Sequence, residues 1–575
     1  MGWTNWRACL AVSVLGALAG GAVCAQEAPS KPAKTAQQRN GRPKLVVMLV
    51  VDQMRGDYVD KFYGQWSGGL KRLVDEGAWF HEAAYPYAAT ETCVGHSTIS
   101  TGSFPSTHGM IANAWWDREA GKMVTCTADP NAKNVGYAGL GASGGDSAWR
   151  MELPSFAEEL KYQGGGPTRA VTFSLKARAA ITMAGHKADA ATWFDGKTGA
   201  WTTSSVYATA PFVEEFAKAH PVRADIGKTW ALSLPETKYL YSAQAVGAVP
   251  PHGWSMGFPH ALRGKGGSAE ADDEYYEQWG SSPFADTYLT KIAEAAVDQL
   301  KLGGGNGTDY LGVSYSSVDY VGHEFGPRSW EIQDELVRLD HDLGELFAHL
   351  DATVGRGNYV VGFSADHGVG PIPEDMETTA VDAGVLHLRG VQERMEKALA
   401  DLNFPKSSLA RIAGSDVYFA PGVYDKLKAD AAAMHAVLAA GEAEPGVATI
   451  YTAEEVVGRP GTHNPIQEAF ADSYYAGRSG DLFIVPKPYW LMDGTPPGKA
   501  RDYGTGHGTP YNYDQRVPLL LMGWGILPGG YYREVTPADI APTFAALCGI
   551  TLASRDGKVL AEALKSAGRS AAASR

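Results

Sequence analysis

Two pairs of aspartate and histidine residues have the types and spacing of metal ligands. Asp319 and His323 lie four residues apart, so one helical turn would place both side chains on the same face. Asp366 and His367 are adjacent, and Gly368 after them permits the tight backbone path by which both could reach one ion. Carboxylates and imidazoles are common zinc ligands. Taken alone, each pair is also compatible with a helix cap or an ordinary loop turn.

Two single residues could complete such a site. Asp52 directly follows an apolar run at residues 45–51, and His507 lies in the sequence Gly-Thr-Gly-His-Gly-Thr-Pro. Glycines on both sides of a residue let the backbone approach a ligand closely. A flexible surface loop would explain the surroundings of His507 equally well, so its local sequence leaves both interpretations open.

Three further residues carry groups that could act on a phosphate. Thr92 precedes a predicted short helix, where backbone N–H groups and the helix dipole favour anions, although a plain helix cap is the alternative. Lys176 and Arg178 follow a strand-like run at residues 170–174. If the chain stays extended there, both cations point to one face and can hold the oxygens of a dianion. A solvated basic turn is the alternative for this pair.

Four short apolar runs predict the strands that must position these residues, at 45–51, 310–316, 359–364 and 517–522. Each run is nearly continuous rather than alternating, as expected for strands buried on both faces of a parallel sheet. Helical stretches at 286–302 and 330–350 lie between them. The alternation predicts an α/β fold with a central, mostly parallel sheet flanked by helices.

Acidic residues follow the first three of these predicted strands. Asp52 comes directly after the first strand, Asp319 lies just after the second, and Asp366 lies just after the third. Ligands of open α/β sheets bind at the carboxyl ends of the strands. The order of the chain therefore predicts a metal site at that edge of the sheet.

The motifs taken together resemble those of the alkaline phosphatase superfamily over residues 44–548. The resemblance rests on Asp52, Thr92-Cys93-Val94-Gly95-His96, His108-Gly109-Met110-Ile111-Ala112-Asn113, Asp319-x-x-x-His323, Asp366-His367 and Gly506-His507-Gly508. Within the superfamily, Lys176-x-Arg178 is similar to the threonine-nucleophile bacterial alkaline phosphatases of the PhoK and PafA type. The related nucleotide pyrophosphatases and phosphodiesterases are not expected to carry that pair.

The resemblance implies two zinc ions per chain and an alkaline phosphatase-like fold. One zinc would be bound by Asp319, His323 and His507. The other would be bound by Asp52, Asp366, His367 and Thr92, which would also be the nucleophile and form a covalent phosphothreonine. The phosphoryl oxygens would be held by Asn113, Lys176 and Arg178. The implied activity is hydrolysis of small phosphate monoesters, with phosphodiester or nucleotide pyrophosphate cleavage at the same site as the alternative.

Three other functions fit the sequence less well. A sulfatase would need Cys-x-Pro-x-Arg, whereas Cys93 is followed by Val-Gly-His-Ser. A phosphate-binding protein without activity is disfavoured because no expected ligand is missing, and a phosphoglycerate-mutase-like isomerase is disfavoured by a predicted export signal.

Histidine and aspartate ligands suit zinc without excluding manganese. Calcium could also bind near Asp272 and Asp273.

The composition and the N-terminus bear on partners and location. The 575 residues carry a formal net charge of -14, which argues against a nucleic-acid-binding surface. Arg7, the apolar stretch after it and the small residues around Ala25 predict a signal peptide over 1–25, cleaved about after Ala25, and a periplasmic or secreted protein. A short membrane anchor is the alternative for this segment. No later run is long enough to span a membrane.

The remaining sequence predicts one catalytic domain over residues 44–560, after a disordered leader at 26–43 and before a flexible tail at 561–575. Insertions at about 195–282 and 373–476 could cap the site, the second with a helix at 424–440 and a strand near 448–452. The chain after residue 25 has Cys93, Cys126 and Cys548, and a Cys93–Cys126 disulfide is left undecided. We expect a monomer.

Overall fold

The central element is a sheet of ten strands, of which the middle five are parallel. The computed structural model describes residues 41–458, 464–496 and 498–565. The strands of the described residues are β1 (Leu45–Val51), β2 (Ala78–Phe80), β3 (Ala114–Asp117), β4 (Lys122–Thr125), β5 (Asn134–Gly136), β6 (Ala170–Ser174), β7 (Ala190–Asp195), β8 (Ala200–Ser204), β9 (Thr229–Trp230), β10 (His260–Ala261), β11 (Asp309–Tyr315), β12 (Tyr359–Ser364), β13 (Gly384–His387), β14 (Leu409–Ala413), β15 (Asp416–Phe419), β16 (Val447–Thr452), β17 (Leu482–Pro486), β18 (Trp490–Asp493), β19 (Leu519–Gly523) and β20 (Gly529–Tyr531).

Helices of very different lengths lie between the strands. They are α1 (Asp57–Phe62), α2 (Gly69–Glu76), α3 (Thr92–Thr101), α4 (Pro105–His108), α5 (Phe156–Gln163), α6 (Ala177–Ala184), α7 (Pro211–Ala219), α8 (Asp273–Gly280), α9 (Pro283–Leu300), α10 (Ser317–Phe325), α11 (Trp330–Leu350), α12 (Pro373–Glu377), α13 (Leu388–Asp401), α14 (Val423–Ala429), α15 (Ala431–Glu442), α16 (Ala453–Val457), α17 (Pro465–Ser473), α18 (Asn512–Gln515) and α19 (Ile540–Cys548).

The ten strands lie in the order β20-β2-β19-β12-β1-β11-β6-β7-β8-β5. Strands β12, β1, β11, β6 and β7 pair in parallel, so their carboxyl ends meet at one edge. Antiparallel strands flank this block on both sides, beginning with β19 and β8. The predicted α/β fold with a mostly parallel central sheet and flanking helices is confirmed.

Strand β1 shows why its sequence is apolar throughout. All seven of its residues are buried, and alternate side chains enter different cores. Leu45, Val47 and Leu49 pack with residues of α9 and α11, whereas Val46 and Met48 pack with residues of α6 and α19 on the other face. A strand covered by helices on both faces has no polar side, which removes the usual alternation of apolar and polar residues.

A second, smaller sheet lies within residues 384–493. Strands β14, β15, β17 and β16 form it in that order, and its apolar core includes side chains from α13 and α15. Strands β13 and β18 pair beside it as a two-stranded sheet. Both sheets use residues of the second predicted insertion together with a segment that follows it.

Three local expectations differ from the structure. The run at 517–522 forms β19, but β19 starts at Leu519, after Pro518, and is antiparallel to β12. The single helix expected at 424–440 is two helices, because the Asp430 carboxylate accepts hydrogen bonds from the N–H groups of Ala432 and Ala433 and starts α15. Lys176 is itself extended, but the chain does not stay extended to Arg178, since α6 begins at Ala177.

The two chain ends carry expectations that the described residues do not reach. The predicted signal peptide at 1–25 and all but the last three residues of the predicted leader at 26–43 lie outside them. Residues 561–563 of the predicted tail form one 3-10 turn, and residues 566–575 lie outside. Within the described part of the chain, no helix has the length and apolar character needed to cross a membrane.

Candidate active site

Three buried carboxylates meet at the carboxyl edge of the parallel strands. Asp52 directly follows β1, Asp366 follows β12 after one residue, and Asp319 lies in the first turn of α10, which follows β11. Because β1 lies between β11 and β12, the three strand ends are neighbours. The exposure of these side chains is 0% for Asp52 and Asp366 and 2% for Asp319. Three negative groups this deeply buried need compensating positive charge.

The three predicted histidine ligands join these carboxylates. Ligand atoms of two groups lie within 4.8 Å of one another, one group comprising Asp319, His367 and His507 and the other comprising Asp52, Asp366 and His367. His323, one helical turn after Asp319, brings its Nε2 to 3.3 Å from Asp319 Oδ1. All six aspartate and histidine residues that the sequence singled out as metal ligands therefore meet in one place.

In all three histidines, Nδ1 bonds a main-chain carbonyl oxygen and Nε2 faces the carboxylates of the cluster. The Nδ1 atoms of His323, His367 and His507 lie 2.7–2.9 Å from the carbonyl oxygens of Thr505, Gly368 and Thr90 respectively. A carbonyl oxygen only accepts, so each Nδ1 carries the proton and each Nε2 offers a lone pair. This is the usual arrangement of a histidine that binds a metal ion.

Several buried atoms of the cluster have no hydrogen-bond partner. Asp52 Oδ1, Asp366 Oδ2 and His367 Nε2 are all in this position. Buried polar atoms are nearly always satisfied by a protein group, water or an ion. Oxygen and nitrogen ligands in this number suit a divalent cation such as zinc. The residues present therefore fit the metal centre that the sequence predicts.

The charges of the cluster shift the pKa values of its members in opposite directions. Burial, followed by repulsion from Asp319 and Asp366, raises the pKa of Asp52 well above its usual range. Burial also opposes ionisation of Asp319, but the Lys176 ammonium and two histidines outweigh it and hold the pKa of Asp319 well below its usual range. Burial and the neighbouring imidazoles lower the pKa of His507. His507 is therefore neutral near pH 7 and available as a ligand.

Thr92 is the first residue of α3 and is fully buried. Its Oγ1 lies 3.4 Å from a terminal guanidinium nitrogen of Arg178, which donates to it. A Cβ at Gly95 would lie 2.0 Å from the carbonyl oxygen of Asp366, so glycine at this position lets the first turn of α3 pack directly against the metal-ligand loop. The predicted helix after Thr92 is confirmed, and its start lies beside the cluster.

Asn113 and a disulfide hold the first turn of α3 from the other side. Asn113 Oδ1 accepts a hydrogen bond from the main-chain N–H of Cys93 over 2.8 Å, which leaves the amide NH₂ of Asn113 as a free donor. Cys93 forms a disulfide with Cys126, which follows β4. The pairing that the sequence left undecided therefore ties α3 to the β3–β4 hairpin.

The two cations reach the cluster in different ways because helix α6 begins between them. Lys176 Nζ lies 2.5 Å from Asp52 Oδ2 and 2.5 Å from Asp319 Oδ2. Arg178 faces Thr92, and its Nε is buried without a hydrogen-bond partner. The extended geometry expected for this pair is wrong, although both side chains still reach the site.

Tyr320 and Glu91 lie in the site although the sequence analysis did not single them out. The ring of Tyr320 lies 5.0 Å from Lys176 Nζ, within the range of a cation–π contact. Glu91 accepts a hydrogen bond from the N–H of Asn113. Both ring nitrogens of His96 are engaged, with Thr92 O and Ser314 Oγ, so His96 supports α3 and is not free to bind metal. Asp272 caps α8 and belongs to neither ligand group.

Comparison with known proteins places the chain in a family. The family described as type I phosphodiesterase / nucleotide pyrophosphatase matches residues 46–510. The chain belongs to this family. Within it, the chain is 33% identical to alkaline phosphatase PhoV of Synechococcus elongatus over 536 residues, 92% of this chain and 94% of the relative. It is also 33% identical to alkaline phosphatase PafA of Elizabethkingia meningoseptica, over 90% of this chain and 93% of the relative.

Solved structures of the type I phosphodiesterase family have the same fold. A crystal structure of PafA is similar to this chain with a TM-score of 0.81 at 31% identity, covering 91% of this chain and 99% of PafA. Murine ectonucleotide pyrophosphatase / phosphodiesterase 5 is similar with a TM-score of 0.52 at 14% identity, over 91% of this chain and all of that one, which shows the shared fold alone. These likenesses confirm the predicted membership of the alkaline phosphatase superfamily.

Proposed function

We propose that the protein is an alkaline phosphatase that hydrolyses phosphate monoesters through a phosphothreonine at Thr92. The observation that carries the proposal is the meeting of a buried threonine hydroxyl, an arginine and two groups of aspartate and histidine ligands at one sheet edge. Two relatives named alkaline phosphatases, aligned over nine tenths of the chain, support it.

The proposed metal centre holds two zinc ions. We assign one ion to Asp319, His323 and His507, and the other to Asp52, Asp366, His367 and Thr92. His367 is close to both ligand groups, and its assignment to the second follows from its position next to Asp366. Zinc bound there would lower the pKa of a coordinated hydroxyl group and neutralise charge on the phosphoryl oxygens.

The side chains around Thr92 suit an in-line displacement at phosphorus. Thr92 Oγ1 gives its proton to solvent and bonds to phosphorus as the ester P–O bond breaks, and the ester oxygen takes a proton from solvent and leaves as an alcohol. Water then bonds to phosphorus as the bond to Thr92 Oγ1 breaks, Thr92 regains a proton, and phosphate is released. Arg178 and Lys176 offer positive charge, and Asn113 offers its amide NH₂, to the oxygens that carry charge in the transition state. A PafA variant changed at a threonine, an asparagine, a lysine and an arginine has been solved, and Thr92, Asn113, Lys176 and Arg178 follow one another here in the same order.

Phosphodiester cleavage is the second candidate, since it would use the same ligands and fits the family description. A monoester dianion has one more ionised oxygen than a diester, so the two cations stabilise it more. We expect the double variant Lys176→Ala, Arg178→Ala to lose at least about 100-fold in monoester turnover, in line with the loss of transition-state donors, and far less in diester turnover. Steady-state kinetics with one monoester and one diester of the same leaving group test this.

Metal content must be measured on the same preparations, because Lys176 also contacts Asp52 and Asp319. Arg178→Ala alone serves as the control variant, since Arg178 faces Thr92 and not the carboxylates. Equal losses on the two substrates at full metal content would contradict the monoesterase assignment. Wild-type protein that binds no divalent metal would contradict the proposed centre itself.

We also propose that the protein acts outside the cytoplasm as a monomer on small phosphate esters and does not bind nucleic acid. The signal-peptide pattern of residues 1–25 supports export. The Cys93–Cys126 disulfide supports it as well, because such bonds persist mainly in oxidising compartments. The net charge of -14 disfavours a nucleic-acid surface.

A further inference from the structure

Gln53, directly after Asp52, contacts both groups of predicted metal ligands. Its main-chain N–H donates to Asp366 Oδ1 over 3.0 Å. Its side-chain Nε2 donates to Asp319 Oδ1 over 2.8 Å. The residue is 1% exposed, so water does not compete for these bonds. A single glutamine therefore connects a carboxylate of one ligand group with a carboxylate of the other.

The backbone of Gln53 has an unusual conformation that makes this connection possible. Its φ is +66°, in the left-handed region that residues with a long side chain seldom adopt. Strand β1 lies between β11 and β12, and Asp319 and Asp366 follow these two neighbours. The left-handed conformation lets the main-chain N–H of Gln53 donate to Asp366, which follows β12, while its side chain donates to Asp319, which follows β11. Backbone strain at such a position is commonly associated with function.

Helix α10 leaves space for the Gln53 amide. Gly322 lies between Asp319 and His323 in this helix, and a Cβ at Gly322 would lie 1.8 Å from Gln53 Oε1. Glycine in the middle of a helix lowers its stability relative to alanine, so its presence needs a local reason. The close approach of the amide supplies that reason.

We infer that Gln53 is a positioning residue that sets the spacing and orientation of the carboxylates of the two metal groups. A hydrogen bond to Oδ1 of each carboxylate fixes the direction of the other oxygen. The donor is neutral, so it orients the carboxylates without cancelling the charge that attracts a cation. Partners of this kind around a metal centre strongly affect metal affinity. The inference rests on the proposed metal centre.

The test is the zinc affinity of Gln53→Met, which keeps the length of the side chain and removes the amide. Competition with a chromophoric chelator should show zinc binding that is about 10- to 100-fold weaker than in the wild type. The visible spectrum of the Co²⁺-loaded variant should also differ, because the ligands no longer hold their geometry. Neither measurement uses phosphatase activity.

A matched variant distinguishes a positioning role of Gln53 from the general effect of replacing a buried glutamine. Gln333→Met removes another buried amide, one that bonds Gln65 and Lys238 away from the site, and should leave zinc affinity unchanged. Unchanged affinity and an unchanged Co²⁺ spectrum in Gln53→Met, with only a lower stability of the metal-free protein, would overturn the inference.

Gly322→Ala decides the question if Gln53→Met does not fold. This variant keeps Gln53, but the added Cβ displaces the Gln53 amide, so we expect weaker zinc binding. If the added methyl group displaced nothing, alanine would stabilise α10 and the zinc affinity would not change. Gly64→Ala, where an added Cβ meets nothing within 4 Å, is its control. Tight zinc binding by Gly322→Ala would count against the inference. Wild-type protein that binds no zinc would contradict the proposed function, which is a separate result.

Discussion

At the scale of single residues, the Thr92 hydroxyl lies where the first turn of α3, Arg178 and the ligand loop of Asp366 converge. Serine at this position would keep the hydroxyl and remove only the Cγ2 methyl group, whereas alanine would remove both. Comparison of the two variants therefore tests the chemical role of the hydroxyl.

We expect Thr92→Ala to lower monoester turnover by about 1,000-fold or more, because the group that forms the covalent intermediate is gone. Thr92→Ser keeps a hydroxyl and should retain most of the turnover. Metal content and the unfolding midpoint should be measured for both variants, so that loss of the nucleophile is distinguished from loss of the site. Thr92→Ala with full metal content and wild-type turnover would rule out the proposed nucleophile.

The clustering of the six aspartate and histidine residues was predictable from the sequence because few side chains bind metal, so aspartate and histidine after buried strands stand out. Gln53 and Tyr320 were not predictable, since glutamine and tyrosine serve many roles and nothing in their neighbours marks these two. The φ of +66° at Gln53 is a property of the folded backbone, and no local turn motif announces it.

At the scale of elements, helix α10 must start in the right place for Asp319 and His323 to reach the cluster. The buried carboxylate of Asp286, in the first turn of α9, accepts hydrogen bonds from the N–H groups of Ser316 and Ser317 at that start. Burial raises the pKa of Asp286 from 3.8 to about 7. One helix thereby anchors the next through a carboxyl group that is hard to ionise.

Asp286→Asn should make stability less dependent on pH. A raised folded-state pKa means that the folded protein keeps its proton longer than the unfolded chain, so stability is full below pH 3.8 and is lost as pH rises to about 7. Asparagine cannot ionise, so the variant should not lose stability in this way. As pH rises through this range, the free energy of unfolding of the variant should increase relative to that of the wild type by a few kcal/mol, at about 1.4 kcal/mol per pKa unit. Urea unfolding of both metal-free proteins at several pH values measures the difference, and parallel profiles would contradict it.

Elements with long apolar or periodic sequences were the most predictable. The bounds of β1, β12 and α11 agree with the sequence because burial on both faces, or on one helical stripe, leaves a continuous signal. The direction of β19 was not predictable, since pairing direction depends on the path of the chain and not on strand composition. The sequence does contain a signal for the break before α15, because Asp430 precedes a run of alanines and can cap a helix. The helical pattern over residues 424–440 is nearly continuous and obscured this signal.

At the scale of the whole molecule, the proposed metal ligands come from segments between residues 52 and 507, so bound ions would cross-link most of the chain. The same residues repel one another without cations, as the raised pKa of Asp52 indicates. Ligands that bind only the folded protein stabilise it by mass action, by about 2.7 kcal/mol for each site at 100 times its Kd.

Metal removal should therefore lower the unfolding temperature of the entire protein in one transition. We expect a chelator to reduce both turnover and the midpoint of thermal unfolding, and added zinc to restore both. Calorimetry of the chelated and reloaded protein checks this, with a chelator saturated by zinc beforehand as the control. An unfolding midpoint that does not respond to the chelator would contradict a zinc centre that closes the sheet edge.

The single catalytic domain predicted over residues 44–560, from motifs spread along nearly the whole chain, stays a prediction. The extent of the smaller sheet was not predictable, because β17 lies beyond residue 476 and pairs with β15 and β16, which precede it. Sequence patterns identify a strand more easily than its partner when a long segment separates them. That the insertions at about 195–282 and 373–476 cover the site remains a proposal.

The Cys93–Cys126 disulfide has a consequence for when the enzyme becomes active. The bond joins the residue after Thr92 to Cys126, at the end of the β3–β4 hairpin that begins directly after Asn113. Without this bond, the hairpin would contact α3 through the Asn113–Cys93 hydrogen bond and the packing of apolar side chains such as Trp115. If the protein is exported as we propose, oxidation outside the cytoplasm would form this bond, and phosphate esters inside the cell would meet only the reduced protein.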